Sequence, residues 1–293
     1  MRGHALALAT VLVWAVTFVS TKVLLVHLSP MEILFSRFAV GFLALAVLRP
    51  RRLRLPNRAQ EKWFVLAGAT GIALYYLLEN IALTFAPASV VGVVVAAAPL
   101  FTGLLSAALS KKRPSAAFFL GFAAAMAGVA LVSFGGGAFA GQAAEGGGFE
   151  AAGVLLALAA AATWAVYSLV TDKIASFNLD GVLATRRTFA WGLLFMALAL
   201  PFFGFSPSWP ALALPEVWGN LAFLGLGASA LCFVTWNLAV RRLGPVTASL
   251  YIYLVPALTV LVSCAVLGEA LTPSVVVGVL LTVGGLVLSE RGT

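Results

Sequence analysis

Ten long apolar runs follow one another along the chain of 293 residues, and this feature restricts the fold more than any other. Most have about the length that an α-helix needs to cross a bilayer, roughly 20 residues. Only 10% of the residues are charged, which argues against a soluble enzyme, a nucleic-acid-binding protein and a disordered chain. We therefore predict an all-α membrane protein with ten transmembrane helices. The predicted spans are residues 5–26, 31–48, 62–84, 88–109, 116–133, 151–171, 179–200, 216–240, 245–267 and 273–289.

The basic residues predict the orientation of these spans. If the N-terminus is cytoplasmic, every Lys and Arg outside the spans falls in an inner segment, and the outer loops contain none. This distribution satisfies the positive-inside rule, so we expect both termini in the cytoplasm. The net charge of +8 then reflects topology and contact with anionic lipid headgroups, not nucleic-acid binding. Four basic residues lie within spans, namely Lys22, Arg37, Arg186 and Arg187.

The chain also contains an internal repeat. When the first half of the sequence is aligned with the second half, one constant shift in residue number pairs Trp14 with Trp164 and Arg37 with Arg187. From the third helix onward, the alignment needs a slightly larger shift. Such an ordered series of matches indicates a duplication. The further pairs are Gly68 with Gly225, Asn80 with Asn237, Pro99 with Pro256, Gly121 with Gly278, and Gly128 with Gly285.

The repeat predicts the domain organisation. Residues 1–134 form a first five-helix repeat, residues 135–150 a Gly-rich outer linker, and residues 151–293 a second five-helix repeat. Because five is an odd number, the second repeat crosses the membrane in the opposite sense. Inverted repeats of this kind are typical of secondary transporters, whose substrate site lies near the midplane between the repeats.

Short motifs in the second half identify a family resemblance. They are Leu243-Gly244-Pro245, Leu254-Val255-Pro256, Leu267-Gly268-Glu269 and Gly284-Gly285-Leu286. With Ala98-Pro99, Gly121 and Gly128 in the first half, the chain resembles the drug/metabolite transporter superfamily in its ten-helix EamA-type branch. The first half departs from the pattern where Ser110-Lys111-Lys112 replaces Leu-Gly-Glu.

The resemblance implies a secondary transporter that does not use ATP and needs no cofactor. Within the branch, the chain is similar to amino-acid and metabolite exporters of the bacterial inner membrane, including the aromatic amino acid exporters. We therefore expect export of small metabolites, amino acids in particular, by alternating access between the two repeats. A small molecule and the lipid bilayer are the expected partners.

Aromatic residues are the first candidates for substrate contacts. Trp14 and Trp164 match by symmetry and lie away from the span ends, where interfacial tryptophans usually sit. They could instead be packed or lipid-facing rings. The other candidate rings are Tyr76, Tyr167, Trp236, Tyr251 and Tyr253.

Polar residues within the third and eighth spans are the second set of candidates. Glu79 is an ionisable group in a span, where such groups are costly and usually functional. It could bind a substrate amine, carry a proton, or lie near the outer end in contact with water. Asn80 and Asn237 could bind a substrate from opposite sides or simply join helices.

Pro99 and Pro256 are the predicted hinge or gating residues, because a proline inside a helix removes a backbone hydrogen bond and can bend the helix. A packed, static kink is the alternative. The small residues Gly121, Gly128, Gly278 and Gly285 are expected to form scaffold or dimer contacts.

A carrier of another metabolite class, such as a drug, a nucleoside or a sugar derivative, is the alternative within the transporters. An intramembrane enzyme and a membrane channel are the alternatives from other classes. The chain has no clustered His, Asp or Glu motif for a metal site or for catalysis, and no filter-like segment of a channel. The sequence does not determine the identity of the substrate or the direction of transport. It also does not determine whether transport is coupled to protons, or whether the protein is a monomer or a homodimer.

Overall fold

The computed structural model describes residues 2–110, 115–135, 148–203, 205–206, 209–243 and 250–290. Within these ranges the regular structure is helical and contains no strand. Seven helical runs are long and apolar enough to cross a membrane, and three shorter apolar helices accompany them. The chain is therefore a multi-pass membrane protein. The seven are Gly3–Leu24, Pro30–Leu48, Arg58–Phe85, Ala88–Leu109, Ala151–Ala175, Gly181–Phe203 and Pro215–Trp236, and the three are Ala116–Val132, Tyr251–Leu267 and Pro273–Ser289.

The first half of the chain contains seven α-helices. They are α1 (Arg2–Leu24), α2 (Pro30–Leu48), α3 (Glu61–Ala67), α4 (Tyr75–Phe85), α5 (Ala88–Val95), α6 (Ala98–Ser110) and α7 (Ala116–Gly135).

The second half begins with α8 at Gly148, so residues 136–147 of the predicted linker lie outside the described part. Its helices are α8 (Gly148–Ala175), α9 (Gly181–Phe203), α10 (Trp209–Leu212), α11 (Pro215–Ala222), α12 (Cys232–Leu243), α13 (Val255–Leu267) and α14 (Pro273–Glu290).

Two π-helical segments interrupt the long helical runs, one in each half. Segment πA (Gly68–Leu74) joins α3 to α4, and segment πB (Phe223–Leu231) joins α11 to α12. Neither was predicted from the sequence, although Gly68 and Gly225 of the two segments are paired by the repeat. A π-helical turn inside an α-helix frequently marks a functional site, and both segments contribute to the cluster described below.

The helical structure changes next to each predicted hinge proline. The helical run stops at Val95, turns through Ala96 and Ala97, and restarts at Ala98, so Pro99 is the second residue of α6. Pro256 likewise lies in the first turn of α13, after a 3-10 segment (Leu250–Leu254). Both prolines therefore lie in the first turn of an α-helix and not in its middle, and their role as hinges stays a prediction. A proline in the first turn costs the helix no hydrogen bond.

Glycines bring α7 and α14 into close contact. A Cβ atom at Gly128 would lie 2.5 Å from the carbonyl oxygen of Gly278 and 2.5 Å from the Thr282 nitrogen. One at Gly121 would lie 2.5 Å from the carbonyl oxygen of Gly285. The scaffold interpretation of these glycines is therefore confirmed, because their faces are occupied by contacts within the chain.

Helices of the two halves interleave in the rest of the bundle. Helix α8 packs against α4 and α6, α1 packs against α12 and α13, and α9 packs against α2 and πA. Residues of both halves therefore meet in the interior.

Candidate functional site

Six aromatic side chains form a continuous cluster where the two halves meet, here called the aromatic cluster. Trp14 of α1 contacts Trp236 of α12 and Trp164 of α8, with ring centroids 5.2 and 6.4 Å apart. Trp164 continues the cluster to Tyr75 and Tyr167, at 4.7 and 4.9 Å. Its members are Trp14, Tyr75, Tyr76, Trp164, Tyr167 and Trp236.

The π-helical segments help to position these rings. The Trp14 indole nitrogen donates to the carbonyl oxygen of Ala228 in πB over 3.1 Å. In πA, Gly71 leaves the space that the Tyr167 ring fills, because a Cβ atom there would overlap that ring. The symmetric pair Trp14 and Trp164 is in direct edge contact. The two tryptophans that the predicted repeat pairs therefore lie next to each other in the same cluster.

A group of buried polar side chains lies beside the aromatic cluster. Arg37 of α2 is only 1% exposed. Its Nε atom donates to the Ser229 hydroxyl of πB over 2.8 Å, and its guanidinium carbon lies 4.3 Å from the centroid of the Tyr76 ring. The hydrogen bond and the cation–π contact together fix the orientation of this guanidinium.

Glu79 and Asn80 complete this polar group from α4. Both are 1% exposed. The Glu79 carboxyl faces the Tyr75 hydroxyl and the Arg37 guanidinium, while the Asn80 amide donates to the Pro30 carbonyl oxygen over 3.1 Å. Because residues three and four apart share a helix face, Tyr75, Tyr76, Glu79 and Asn80 all point toward the interior. Glu79 is therefore fully buried and does not have the water contact that was one alternative for it. We call Arg37, Glu79, Asn80 and Ser229 the polar group.

Three of the predicted residues are not placed in either set. The Tyr251 hydroxyl bonds His4 Nδ1 over 2.8 Å, and Tyr253 packs with Ala97, Leu100 and Leu286 in a separate apolar cluster. Asn237 lies in α12, but its side chain is outside the described part of the chain. The prediction therefore located Trp14, Tyr76, Glu79, Asn80, Trp164, Tyr167 and Trp236 in one region.

Sequence reasoning missed Ser229, the partner of Arg37. A serine in an apolar helix carries no signal of its own, and only the packing of α2 against πB brings the two together. Tyr75 is also not among the predicted site residues, although it contacts both Trp164 and Tyr76. Arg37 was noticeable as a charge within a span, but its sequence position could not show that it faces Glu79.

Polar contacts connect helices at the predicted outer end of the bundle, and one of them crosses between the halves. The Glu269 carboxylate accepts hydrogen bonds from the backbone nitrogens of Ala88 and Ser89, at 2.9 and 3.2 Å, and so caps α5. Lys22 donates to the carbonyl oxygens of Leu83 and Ala86 at 2.5 and 3.0 Å, at the end of α4. The Leu-Gly-Glu motif thus joins α5 of the first half to the second half.

Other contacts connect the halves at the predicted inner end. Arg187 of α9 forms an ion pair with Glu61, which also accepts a hydrogen bond from the Trp191 indole at 2.5 Å. Arg186 donates to the carbonyl oxygens of Arg49 and Arg51. Both arginines therefore bind the 49–61 segment. Beside them lies an open cleft of about 550 Å³ lined by Arg54, Leu55, Arg58, Glu61 and Arg187.

The site has no arrangement suited to a metal. Among the described residues, no three His, Cys, Asp or Glu side chains come together as ligands. The aromatic cluster and the polar group are suited to binding a small molecule, because rings supply contact area while charged and amide groups orient a ligand.

Helices long enough to cross a membrane come from both halves and enclose a buried group of polar and aromatic side chains. This arrangement is typical of a membrane transporter. The EamA-like transporter family matches residues 1–134 and 151–290. The chain belongs to this family, which is part of the drug/metabolite transporter superfamily. The family and the relatives below are transporters, not enzymes.

Several curated relatives align along almost the whole chain. A probable terminal-alkyne amino-acid exporter of Streptantibioticus cattleyicolor is 30% identical, over 97% of this chain and 92% of that protein. An uncharacterized transporter of Archaeoglobus fulgidus is 26% identical, over 98% and 97%. The uncharacterized transporter YdfC of Bacillus subtilis is 26% identical, over 97% and 89%.

A solved crystal structure shares the fold. It superposes with a TM-score of 0.67 at 22% identity, and the alignment covers 98% of this chain and 96% of the other.

Proposed function

We propose that this protein is a secondary transporter that exports small metabolites across the bacterial inner membrane, with neutral and aromatic amino acids as the main substrates. The observation that carries the proposal is the aromatic cluster with the polar group beside it. Rings offer contact area to an apolar side chain, and buried charges offer partners to the polar end of a small molecule. The 30% identical relative supports the substrate class, because it is described as a probable amino-acid exporter.

Both halves of the chain contribute to this site, as alternating access requires. Trp14, Arg37 and Glu79 come from the first half, while Trp164 and Ser229 come from the second. If the halves move relative to each other, the site changes its exposure from one side of the membrane to the other. The contacts of Glu269 at one end and of Glu61 with Arg187 at the other would then have to break in turn.

The architecture that we propose is two inverted five-helix repeats, residues 1–134 and 151–293, with ten spans and both termini in the cytoplasm. The seven long and three shorter apolar helices are sufficient in number for ten crossings. The paired π-helical segments, and the matching positions of Pro99 and Pro256 in the first turns of α6 and α13, support the repeat.

Counterflow in liposomes tests the transport proposal. Purified protein would be reconstituted with an internal excess of unlabelled amino acid, and uptake of labelled phenylalanine, tryptophan, threonine, methionine, lysine or glutamate would be followed. We expect saturable, transient accumulation of the neutral and aromatic members. Comparing an imposed with a zero pH gradient tests proton coupling in the same preparation. Flat traces for all six with folded protein would refute the amino-acid assignment.

A pair of tryptophan variants tests the site. Trp164→Ala removes a ring in contact with three others, Trp14, Tyr75 and Tyr167. Since an aromatic contact contributes about 0.5–1.5 kcal/mol, we expect the half-saturation concentration to rise by roughly 10-fold. Trp218→Ala is the matched control, because Trp218 is 59% exposed. Equal effects of the two variants would show that Trp164 has no role in substrate binding.

A further inference from the structure

Three buried polar atoms of the polar group have no hydrogen-bond partner. They are Nη1 of Arg37, Oε1 of Glu79 and Oδ1 of Asn80. A buried polar atom without a partner is costly, and it is more so when it belongs to a charged group. Native proteins keep few such atoms and usually for a reason. Three of them in one interior region, on residues each 1% exposed, indicate that a polar ligand completes the site.

We propose that the polar group recognises the zwitterionic end of an α-amino acid, with Arg37 binding the carboxylate and Glu79 binding the ammonium group. This inference rests on the proposed function and adds to it the part of the substrate that is recognised. It also explains why two helices in contact with each other bury an arginine and a glutamate that form no direct ion pair.

Arg37 is held in a position that suits a carboxylate. Its Nε atom is occupied by Ser229 at 2.8 Å, and one face of its guanidinium is covered by the Tyr76 ring. The Nη1 atom stays without a partner. A planar guanidinium binds carboxylates through directed N–H donors, so a guanidinium fixed at one edge can present the other to a ligand.

Glu79 provides the complementary charge. Its carboxyl lies on the same face of α4 as Tyr75 and Tyr76, and Oε1 is available to a donor. Asn80 is held to Pro30 through its amide nitrogen, and its Oδ1 atom is also without a partner. An ammonium group has three N–H donors and no acceptor, so it is a suitable partner for the unpartnered Glu79 oxygen.

Charge balance selects a zwitterion over other small molecules. Arg37 and Glu79 together carry no net charge, and neither does an amino acid's α-carboxylate and α-ammonium pair. An acid without the ammonium group would leave Glu79 without a partner, and an amine without the carboxylate would leave Arg37 without one. Sites built to bind a polar group reject analogues that lack it by large factors, because buried partners are then left unpaired. The side chain of the amino acid would lie against Tyr75, Tyr76 and Trp164.

Competition against counterflow tests this inference. The labelled probe is whichever of the six amino acids exchanges best, and the competitors are that amino acid, its N-acetyl derivative, which lacks the ammonium group, and its decarboxylated amine. We expect each analogue to compete at least about 100-fold more weakly than the parent amino acid. Analogues that compete as well as the parent would overturn the inference while leaving the proposed function standing. Failure of every amino acid to exchange would overturn both.

Variants assign the two ends of the ligand. Arg37→Gln should reduce the preference for the amino acid over its decarboxylated amine by about 10-fold or more. Glu79→Gln should reduce the preference for the amino acid over its N-acetyl derivative by a similar factor. Arg37→Lys, which keeps the charge, should retain more of the first preference than Arg37→Gln. Glu216→Gln is the control, since it removes a carboxylate that is 56% exposed.

This crossed pattern separates recognition from folding. A variant that only misfolds lowers exchange of all ligands alike and leaves their ratios unchanged. Ratios that stay constant in both variants, while the folded fraction measured by size-exclusion chromatography is normal, would show that Arg37 and Glu79 are structural.

Discussion

Replacing Gly285 by alanine should separate α7 from α14. A Cβ atom at this position would lie 2.5 Å from the carbonyl oxygen of Gly121 and closer still to the Ala125 nitrogen. Both are backbone atoms, which cannot rotate away as a side-chain end could. Because ordinary contacts of this kind begin near 3.4 Å, the helices must move apart locally by about 1 Å. A gap of that size removes roughly a quarter to a half of each dispersion contact.

The expected cost follows from this displacement. Overpacking of a tight interior lowers the free energy of unfolding by about 1–3 kcal/mol. The higher helix propensity of alanine raises it by up to about 1 kcal/mol. We expect Gly285→Ala to lower the free energy of unfolding by about 1–2 kcal/mol. The neighbouring Gly284 is the matched control, because a Cβ atom there meets nothing within 4 Å. Gly284→Ala should be neutral or stabilising.

Unfolding in mixed micelles with increasing SDS, followed by circular dichroism, measures the difference between these two variants. The same samples would be run on size-exclusion chromatography to read the oligomeric state. Equal stability of Gly285→Ala and Gly284→Ala would refute the reasoning. A change of oligomeric state in Gly285→Ala without loss of stability would mean that the glycine face contacts another copy of the chain.

Three further predictions concern the ends of the bundle. Glu269→Gln should weaken the cap on α5 by about 1–2 kcal/mol, because the carboxylate accepts two backbone hydrogen bonds; SDS unfolding would show this, and a loss no larger than that of Glu216→Gln would contradict it. A double-mutant cycle on Glu61→Gln and Arg187→Gln should give a coupling of about 0.5–1 kcal/mol, modest because the pair is partly exposed; zero coupling would mean that the ion pair does not stabilise the inner end of the bundle. In a variant with Cys232→Ala and Cys264→Ala, a membrane-impermeant maleimide should label Ala270→Cys in intact spheroplasts but Ser176→Cys only after permeabilisation; the reverse pattern would refute the proposed orientation.

Local features were predictable where the bilayer dictates them. A span must satisfy its backbone hydrogen bonds internally and hide them in apolar side chains, so hydropathy alone locates the membrane helices to within a few residues. The start of α2 is likewise local: Ser29 and Glu32 form a capping box, and Pro30 is the first residue of the helix.

The candidate site was predictable only in part. Trp14 and Trp164 stood out through the repeat, and Glu79 through the cost of a charge in a span. Tyr251 and Tyr253 had the same aromatic character, yet they pack elsewhere. Composition cannot separate them from Tyr76, because the face of a helix that meets the interior depends on the neighbouring helices.

Hydropathy and the positions of charged residues were sufficient to determine a helical membrane protein, since these properties act on each segment independently of the others. The π-helical segments, the break at Ala96 and Ala97, and the contact of Arg37 with Ser229 were decided only by tertiary packing. A serine on πB and an arginine on α2, far apart in the chain, carry no sign of each other until helices from both halves pack together. The recognition chemistry proposed for this transporter depends on that packing.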